Sequence, residues 1–454
     1  MAKGTLVILI FVILALAAIV NFPKDAGAEE REYRNEVLAS IELYDAKLMY
    51  EDAAEQYYEL VRKYPEDREL GYKYAEYCVE HGFNDQAAVY YEKLLENNSK
   101  DKETVTRLLE LYNSTNSKSI YGVMRKYKSL ISDTQIYIDL TEKEFEDLRL
   151  KKSYMDDVKD WHDGSYTFVL SDDGKLGVVS SAGEIIVPES FDEIIAYSSS
   201  SKNIVLKDQG QLVYADKNGN RKLVPYDSSS EALVYYDHLG PMENGIANIE
   251  LDGKWGYMNS SMKQAYVKFE RTTPFSNGIS AAKQTDGWVI LNEDLKTISD
   301  GVFDDICTDE YGYCCFREII YLHSGSGWNM YRVTYDKDKT AVGLEKCTDM
   351  VFEDVRPFIE YGAVKQGGKW GFVRKDGTWL IEPTADYSDA RSFSCGFAPV
   401  CTNGKWDFIS ETGKRVSNNS YESVTTISKN GCVGLKSADS SWKIMQLPVY
   451  YYSD

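Results

Sequence analysis

The sequence predicts a multi-domain protein in which an α-helical part precedes an all-β part, both behind an N-terminal transmembrane or signal helix. Three observations support this prediction. They are an unbroken apolar run near the N-terminus, a helical pattern with a period of about 34 residues, and a glycine- and tryptophan-containing phrase that recurs about every 40 residues. The predicted boundaries are 1–28, 29–152 and 153–454.

The first segment determines the predicted location. An unbroken apolar run extends from Thr5 to Val20. As a helix, residues 4–22 would span about 28 Å, close to the roughly 30 Å hydrocarbon core of a bilayer. We therefore expect a single-pass anchor in the cell membrane with the bulk of the chain extracytoplasmic, since Lys3 keeps the short N-terminal end inside. The alternative is a signal peptide that is cleaved near Ala28, so that the protein is secreted.

Composition argues against several classes of function. The chain has 51 basic and 72 acidic residues and a net charge of −21, so a nucleic acid is not an expected partner. The four histidines are scattered and the eight cysteines contain no Cys-x-x-Cys pair, so the sequence predicts no catalytic residue, metal site or cofactor. One or two disulfides and buried free thiols both stay open for the cysteines. We expect a protein that is not an enzyme.

From Glu29 onward the pattern is helical and repeats itself. Ala53 and Tyr57 recur one period later as Ala87 and Tyr91, and a weaker third copy starts near Lys102. Small residues at helix crossings and aromatic residues at fixed offsets are typical of a helix–turn–helix solenoid. This stretch resembles the tetratricopeptide repeat family. Three such units imply a short curved stack that binds a peptide or another domain.

The resemblance also implies a groove lined by the first helix of each unit. The groove positions that we single out as partner-binding are Glu42, Glu69, Tyr72, Glu76, Glu103 and Glu110. Glu42, Glu76 and Glu110 are spaced one period apart and form an acidic ladder. One interpretation is a solvated helix face. The functional hypothesis is that a basic, extended segment of a protein partner binds along the ladder.

The remaining residues repeat a β unit eight times. Its phrase is clearest as Gly-Lys-Trp at 253–255, 368–370 and 404–406, with anchor positions at 176, 212, 255, 288, 328, 370, 406 and 442. An aromatic–acid pair such as Phe269-Glu270 recurs between the anchors. Units of about 40 residues with short strands and tight turns predict a β-propeller-like domain whose last blade takes strands from both ends of the domain. An open β-solenoid is the alternative.

These phrases resemble the WG (Trp-Gly) repeat family of bacterial proteins, which implies a β platform for interactions and carries no catalytic motif. The structural repeat anchors are Trp255, Trp288, Trp328, Trp370, Trp406 and Trp442. We interpret them as packing residues between units, with a sugar-binding strip as the alternative. The sequence thus predicts a membrane-tethered or exported bacterial scaffold for protein–protein interaction. A propeller hydrolase acting on cell-wall glycan and a carbohydrate-binding surface sensor stay open as alternatives.

Overall fold

The computed structural model describes residues 26–154, 156–223, 226–227, 232–261, 264–417 and 419–452. The chain forms two compact units, with the boundary between Tyr137 and Ile138. The predicted anchor or signal segment at 4–22 lies outside the described residues. Among the helices that are described, none is long and apolar enough to span a membrane.

The first unit, called the arm below, is a run of helices joined by short turns, each packed on the next. The residues of the helical repeat form its core: Ala53, Tyr57, Ala87 and Tyr91 are all buried. Its helices in chain order are α1 (Ala26–Ala46), α2 (Tyr50–Lys63), α3 (Arg68–Glu80), α4 (Asn84–Asn97), α5 (Lys102–Ser114) and α6 (Ser119–Ile131). Helix α7 (Gln135–Lys143) contains the boundary between the units, and a 3₁₀ turn (Glu144–Glu146) follows it in the second unit.

Two helices of the arm begin at equivalent aspartate caps. Asp67 accepts a hydrogen bond from the backbone N–H of Leu70 (3.0 Å) at the start of α3. Asp101, at the equivalent position of the next repeat, accepts one from the N–H of Thr104 (3.3 Å) at the start of α5. Each carboxylate satisfies an amide that has no partner within its own helix. The repeat period is therefore visible in the helix starts as well as in the core.

The second unit is a β-propeller, in which the described strands form eight antiparallel blades. With the strand nearest the channel given first, blade 1 comprises β2 (Asp157–Val158), β3 (Tyr166–Leu170), β4 (Leu176–Ser180) and β5 (Ile185–Phe191), and blade 2 comprises β6 (Ala196–Tyr197), β7 (Ile204–Asp208), β8 (Gln211–Ala215) and β9 (Arg221–Leu223). Blade 3 comprises β12 (His238–Leu239), β13 (Ile246–Leu251), β14 (Lys254–Asn259) and β15 (Gln264–Phe269). Blade 4 comprises β16 (Arg271–Thr272), β17 (Ile279–Gln284) and β18 (Gly287–Asn292). A small hairpin of β10 (Tyr226–Asp227) and β11 (Ala232–Leu233) lies between blades 2 and 3 in the sequence.

The second half of the ring follows the same plan. Blade 5 comprises β19 (Asp305–Ile306), β20 (Cys315–Phe316), β21 (Ile319–Ser324), β22 (Gly327–Tyr335) and β23 (Ala341–Lys346), and blade 6 comprises β24 (Asp354–Val355), β25 (Gly362–Gln366), β26 (Lys369–Val373) and β27 (Trp379–Ile381). Blade 7 comprises β28 (Asp389–Ala390), β29 (Phe397–Thr402) and β30 (Lys405–Ser410). Blade 8 comprises β31 (Ser423–Ile427), β32 (Cys432–Lys436) and β33 (Trp442–Gln446) together with β1 (Arg149–Tyr154). A short helix α8 (Pro448–Tyr451) follows the last strand.

The ring closes as the sequence predicts, through a blade built from both ends of the domain. Strand β1 pairs antiparallel with β33, so residues near 150 complete the blade formed by residues near 440. Val158 and Val169 of blade 1 share a buried cluster with Trp442 and Ile444 of blade 8. The open β-solenoid is therefore not the fold. Closure also removes free sheet edges that other chains could pair with.

The predicted landmarks of the repeat pair with one another inside each blade. The anchor residue is hydrogen-bonded in register with the aromatic–acid position that follows it, as in Trp255 with Phe269 and Trp288 with Phe303. The second glycine of the phrase makes room for the outer strand: a Cβ on Gly371 would lie 2.9 Å from the carbonyl oxygen of Ile381. Blade 7 carries Asp407 at this position and shows three strands in the described sheet.

Candidate functional site

The six anchor tryptophans lie at one end of the blades, beside the first residues of the inner strands. The register in blade 3 places His238, Glu250 and Trp255 side by side. Three anchors are buried (Trp370, Trp442 and Trp288), whereas Trp255, Trp328 and Trp406 are partly buried. The six rings therefore do not form a continuous exposed strip.

Several anchors are covered by a nitrogen-bearing side chain that lies on the inner strand of the same blade or directly after it. The guanidinium of Arg356 lies 4.5 Å from the ring centroid of Trp370, and that of Arg391 lies 5.3 Å from the ring of Trp406. In blade 3 the imidazole of His238 stacks on Trp255 at 4.7 Å with an angle of 32° between the rings. These contacts combine cation–π or ring stacking with burial of the indole.

Blade 5 departs from the repeat in a loop that we call the channel loop, residues 307–318. In this blade β19 ends at Ile306 and β21 begins only at Ile319. The matching connection in blade 4 is much shorter, since β16 ends at Thr272 and β17 begins at Ile279. The fifth repeat therefore carries an insertion between its two innermost strands, and the short strand β20 lies within it.

The inserted residues form a tight turn around one carboxylate. Asp309 accepts hydrogen bonds from the backbone N–H groups of Tyr311 (3.0 Å) and Tyr313 (2.9 Å). A short polar side chain that bonds to the backbone ahead of it stabilises a turn in this way. The turn holds both tyrosines in fixed positions.

The channel loop reaches blade 1, which stands opposite blade 5 in the ring. The hydroxyl of Tyr311 donates to the carbonyl of Asp160 (3.0 Å) and accepts from the N–H of Phe168 (3.2 Å). His162 Nδ1 lies 2.7 Å from the carboxylate of Asp309. The loop also reaches blade 3, where the hydroxyl of Tyr313 donates to Glu243 (3.2 Å). The loop therefore spans the central channel.

Two cavities flank the channel loop. The small channel cavity, about 250 Å³, lies among blades 1, 5, 6, 7 and 8 and contains Asp160, Glu310, Arg356 and Arg391 in its wall. Arg391 forms an ion pair with Asp160, which also accepts hydrogen bonds from the N–H and hydroxyl of Thr426 (both 2.7 Å). This wall is thus already bonded internally.

The large channel cavity, about 390 Å³, lies among blades 2, 3, 4 and 5. Its wall combines Trp255, Trp288, His238 and Asn248 with carboxylates of the blade 5 side. Burial, followed by the positive charge of Arg271, lowers the pKa of His238 to about 4, so its imidazole is neutral at pH 7. Both channel cavities fall within the range typical of small-molecule sites or just below it, which is about 300–1,000 Å³.

Five of the eight cysteines are buried, and the other three are half-buried. Cys78, Cys314, Cys315, Cys401 and Cys432 are buried thiols without a disulfide. Burial raises the pKa of Cys314 to about 11 and that of Cys432 to about 12, so both stay protonated at neutral pH. In the described ranges, no group of three or more His, Cys, Asp or Glu side chains has the geometry to hold a metal ion.

The predicted groove residues lie on the first helix of each pair in the arm, with Glu42 on α1, Glu69, Tyr72 and Glu76 on α3, and Glu103 and Glu110 on α5. The structure brings three of them into one network. Arg107 pairs with both Glu76 and Glu103, and its guanidinium lies 4.6 Å from the Tyr72 ring centroid. Glu69 pairs with Lys73 (2.8 Å).

Glu42 and Glu110 stand apart from this network, since neither forms an ion pair among the described residues. Both side chains are exposed. The carboxylates at Glu69, Glu76 and Glu103 are compensated by Lys73 of α3 and Arg107 of α5, so the stripe is a mixed-charge surface. Sequence reasoning missed this because it counted only the carboxylates at the groove positions.

A different surface of the arm, which we call the arm cleft, lies between α2 and α4. It encloses about 640 Å³. Its floor is aromatic: Tyr74 is buried and stacks edge-on with Tyr90 (5.1 Å between centroids), while Tyr58 is 39% exposed and Val89 is 65% exposed. Its rim carries Glu51, Glu55 and Asp85 against the single cation Lys93. The cleft is therefore an apolar groove with an acidic rim.

One comparison with known proteins concerns the β unit. Residues 235–255, 255–288 and 370–406 match the family model described as "WG containing repeat". The match confirms the predicted resemblance to WG repeats over these segments. The segments begin or end at the anchors Trp255, Trp288, Trp370 and Trp406, which lie in blades 3, 4, 6 and 7 of the propeller. No curated protein matches the chain significantly.

Solved propellers resemble the second unit only distantly. The WD40 domain of SCAP from fission yeast is 12% identical, with a TM-score of 0.36, and covers 68% of this chain and 98% of that one. The Dos1 propeller is 8% identical, with a TM-score of 0.38, and covers 66% and 95%. The β-propeller domain of Myceliophteria thermophila Cps50 (Swd1) is 10% identical, with a TM-score of 0.34, and covers 66% and 100%. We draw no conclusion about function from likeness at this level.

The channel loop and the two channel cavities are the features that the repeat pattern did not reveal. One signal was present in the sequence: more residues separate Phe303 from the next anchor, Trp328, than separate Phe269 from Trp288. That difference locates an insertion in the fifth β unit. It does not show that the insertion crosses the ring.

Proposed function

We propose that this chain is a non-catalytic scaffold that binds protein partners through its arm and its WG-repeat propeller. The observation that carries the proposal is the arm cleft. Exposed apolar side chains in a concave surface are typical of interaction sites, because a monomer gains nothing by leaving them in contact with water. Tyr58 and Val89 form such a surface, and both belong to the repeated helices of the arm.

The charge of the rim indicates the chemistry of the partner. Three carboxylates (Glu51, Glu55 and Asp85) face one ammonium group, that of Lys93, and none of the four forms an ion pair within the described part of the arm. A partner segment with apolar residues on one face and lysine or arginine beside them complements both properties. Such complementarity speeds association and makes binding weaker as salt rises.

The same proposal covers the type of helical repeat in the arm and the role of the N-terminal segment. We propose that the arm is a tetratricopeptide-like solenoid, on the strength of its repeat period and its equivalent aspartate caps. We further propose that residues 4–22 tether the protein to the cell membrane, with the arm and propeller extracytoplasmic. Externally added protease should then cleave the chain beyond Glu29 in intact cells. Cleavage only after lysis would contradict this topology.

Two matched synthetic peptides test the arm cleft. Both are amphipathic peptides of equal length with the same leucine positions, one carrying lysines and the other glutamates beside them, and their binding to the full-length chain is followed by fluorescence anisotropy at two ionic strengths. We expect the lysine peptide to bind and to weaken with salt, and the glutamate peptide not to bind. Glu55→Lys should weaken binding about tenfold, equivalent to about 1.4 kcal/mol, and Val89→Gln should weaken it without changing its salt dependence.

Glu96→Lys is the matched control, since it makes the same charge change at an exposed position that belongs to neither the arm cleft nor the predicted groove. It should change affinity less than about twofold, within the range expected for a distant surface charge. Equal losses for Glu55→Lys and Glu96→Lys would show that net charge alone attracts the peptide. Loss of binding only in the triple reversal of Glu42, Glu76 and Glu110 to lysine would assign the partner to the predicted groove instead of the arm cleft.

A further inference from the structure

We propose that the large channel cavity is a binding site for a single pyranose sugar residue, held between blades 3 and 4 on one side and the channel loop of blade 5 on the other. This goes beyond the scaffold function, because it places a small-molecule site in the propeller and does not depend on the arm cleft. The cavity measures about 390 Å³, which is enough for one small ligand.

An aromatic wall is the first requirement for a pyranose, whose axial C–H groups are attracted to the negative face of a π system. Trp255 and Trp288, from neighbouring blades, both line the cavity. Trp288 is 6% exposed and serves mainly as wall, whereas Trp255 is only partly buried. His238 supports Trp255 by stacking on it at 4.7 Å. The indole of Trp255 is thus held in place and is partly accessible.

A buried amide without full hydrogen bonding is the second feature. Asn248 lines the cavity and is 2% exposed, and its amide oxygen has no hydrogen-bond partner in the part of the chain that the structure describes. Its amide nitrogen has only long contacts, 3.4 Å to the carbonyl of Thr272 and 3.5 Å to Nε2 of His238. Buried polar atoms almost always have a partner. The amide oxygen lies against Gly240, where an added Cβ would be only 1.8 Å from it, so the weakly bonded amide nitrogen is the group that can donate to a sugar hydroxyl.

The charged groups of the wall can form hydrogen bonds with a hydroxyl-rich ligand. The channel-loop side contributes the carboxylates of Asp305, Asp309 and Glu310, and the blade 4 side contributes the guanidinium of Arg271. Carboxylates accept hydrogen bonds from hydroxyl groups and a guanidinium donates to them. Asp309 is already bonded to His162. One oxygen of Asp305 accepts from the N–H of Ile306 (2.9 Å) and one of Glu310 from the N–H of Asp160 (3.3 Å), so the second oxygens of these two carboxylates supply the acceptors. The three carboxylates would repel an anion, and a lysine probe below tests a cation.

The test uses the full-length chain and four probes, glucose, galactose, mannose and N-acetylglucosamine, each titrated to the same millimolar concentration. Binding is measured by saturation-transfer NMR and by tryptophan fluorescence. We expect at least one probe to bind, and Trp255→Ala and Asn248→Leu each to weaken it at least tenfold. Trp255→Phe and Asn248→Ser are milder substitutions at the same positions, and near-UV circular dichroism checks that both variants are folded.

Trp328→Ala is the matched control. Trp328 occupies the same anchor position in blade 5 and also contacts a histidine, His323 (5.3 Å between centroids), but lies in the wall of neither channel cavity. It should leave sugar affinity unchanged. The proposal is overturned if no probe binds at the highest concentration, or if binding survives both Trp255→Ala and Asn248→Leu. It is also overturned if Nα-acetyl-lysine amide binds at these residues and the sugars do not, which would assign the cavity to a cationic side chain.

Discussion

Replacement of Trp370 by alanine tests whether the anchor residues hold neighbouring blades together. The Trp370 side chain is 2% exposed and packs with Phe372, Phe393 and Val400 in the core shared by blades 6 and 7. Arg356 covers the ring from the channel side, 4.5 Å from its centroid. Truncation therefore opens a void between two blades.

The magnitude follows from the buried area. A tryptophan buries about 150–250 Å², which at about 25 cal/mol per Å² is worth about 4–6 kcal/mol. An extended reference chain overstates this area, and large aromatic truncations in cores cost about 3–5 kcal/mol. The indole N–H of Trp370 has no hydrogen-bond partner among the described residues, so its loss adds nothing on that account. We expect a decrease of about 3–5 kcal/mol in the free energy of unfolding.

Urea unfolding of the full-length chain, followed by far-UV circular dichroism, measures the effect. Trp370→Phe keeps an aromatic ring between the blades and should cost less, about 1–2 kcal/mol. Tyr235→Ala is the control, because that side chain is 61% exposed and its truncation should change stability by no more than about 0.5 kcal/mol. If Trp370→Ala unfolds at the wild-type urea concentration, the anchors do not hold the blades together.

Three further substitutions test the repeat glycine, the buried histidine and the channel loop. Gly371→Ala should lower the free energy of unfolding by about 1–3 kcal/mol, because its Cβ would lie 2.9 Å from the carbonyl oxygen of Ile381; an unchanged urea midpoint would contradict the close approach. Burial lowers the pKa of His238 from 6.5 to about 4, so the unfolded chain binds more protons between these values. Wild type should therefore lose about 3 kcal/mol of stability relative to His238→Gln as the pH falls from about 6.5 to 4, and parallel pH profiles of the two urea midpoints would disprove the shift. Tyr311→Phe should cost about 1–3 kcal/mol and speed hydrogen exchange at the amide of Phe168, since the phenol is a partner of that N–H; unaltered exchange would show that the channel loop does not hold blade 1.

The sequence alone determined the repeated parts of the fold. The period of the helical pattern predicted the packing of the arm, and Ala53 and Ala87 are indeed fully buried at equivalent positions. Eight anchor positions marked eight repeat units, which the structure shows as eight blades, and the incomplete pattern at both ends of the domain indicated the shared last blade. These features are readable because each repeat buries the same residues against its neighbours, so the same physical requirement leaves the same mark in every copy.

The tertiary structure alone decided which surfaces are available for binding. Arg107 compensates Glu76 on the preceding pair of helices, and the channel loop reaches Asp160 on the far side of the ring, although neither pairing follows the repeat period. The anchor tryptophans also differ in a way that the sequence does not show. The same Gly-Lys-Trp phrase places Trp370 in a buried core and Trp255 in a cavity wall. Periodicity specifies contacts between equivalent positions. Ring closure brings non-equivalent positions together, and their charges and shapes then determine which surfaces of the propeller can hold a ligand.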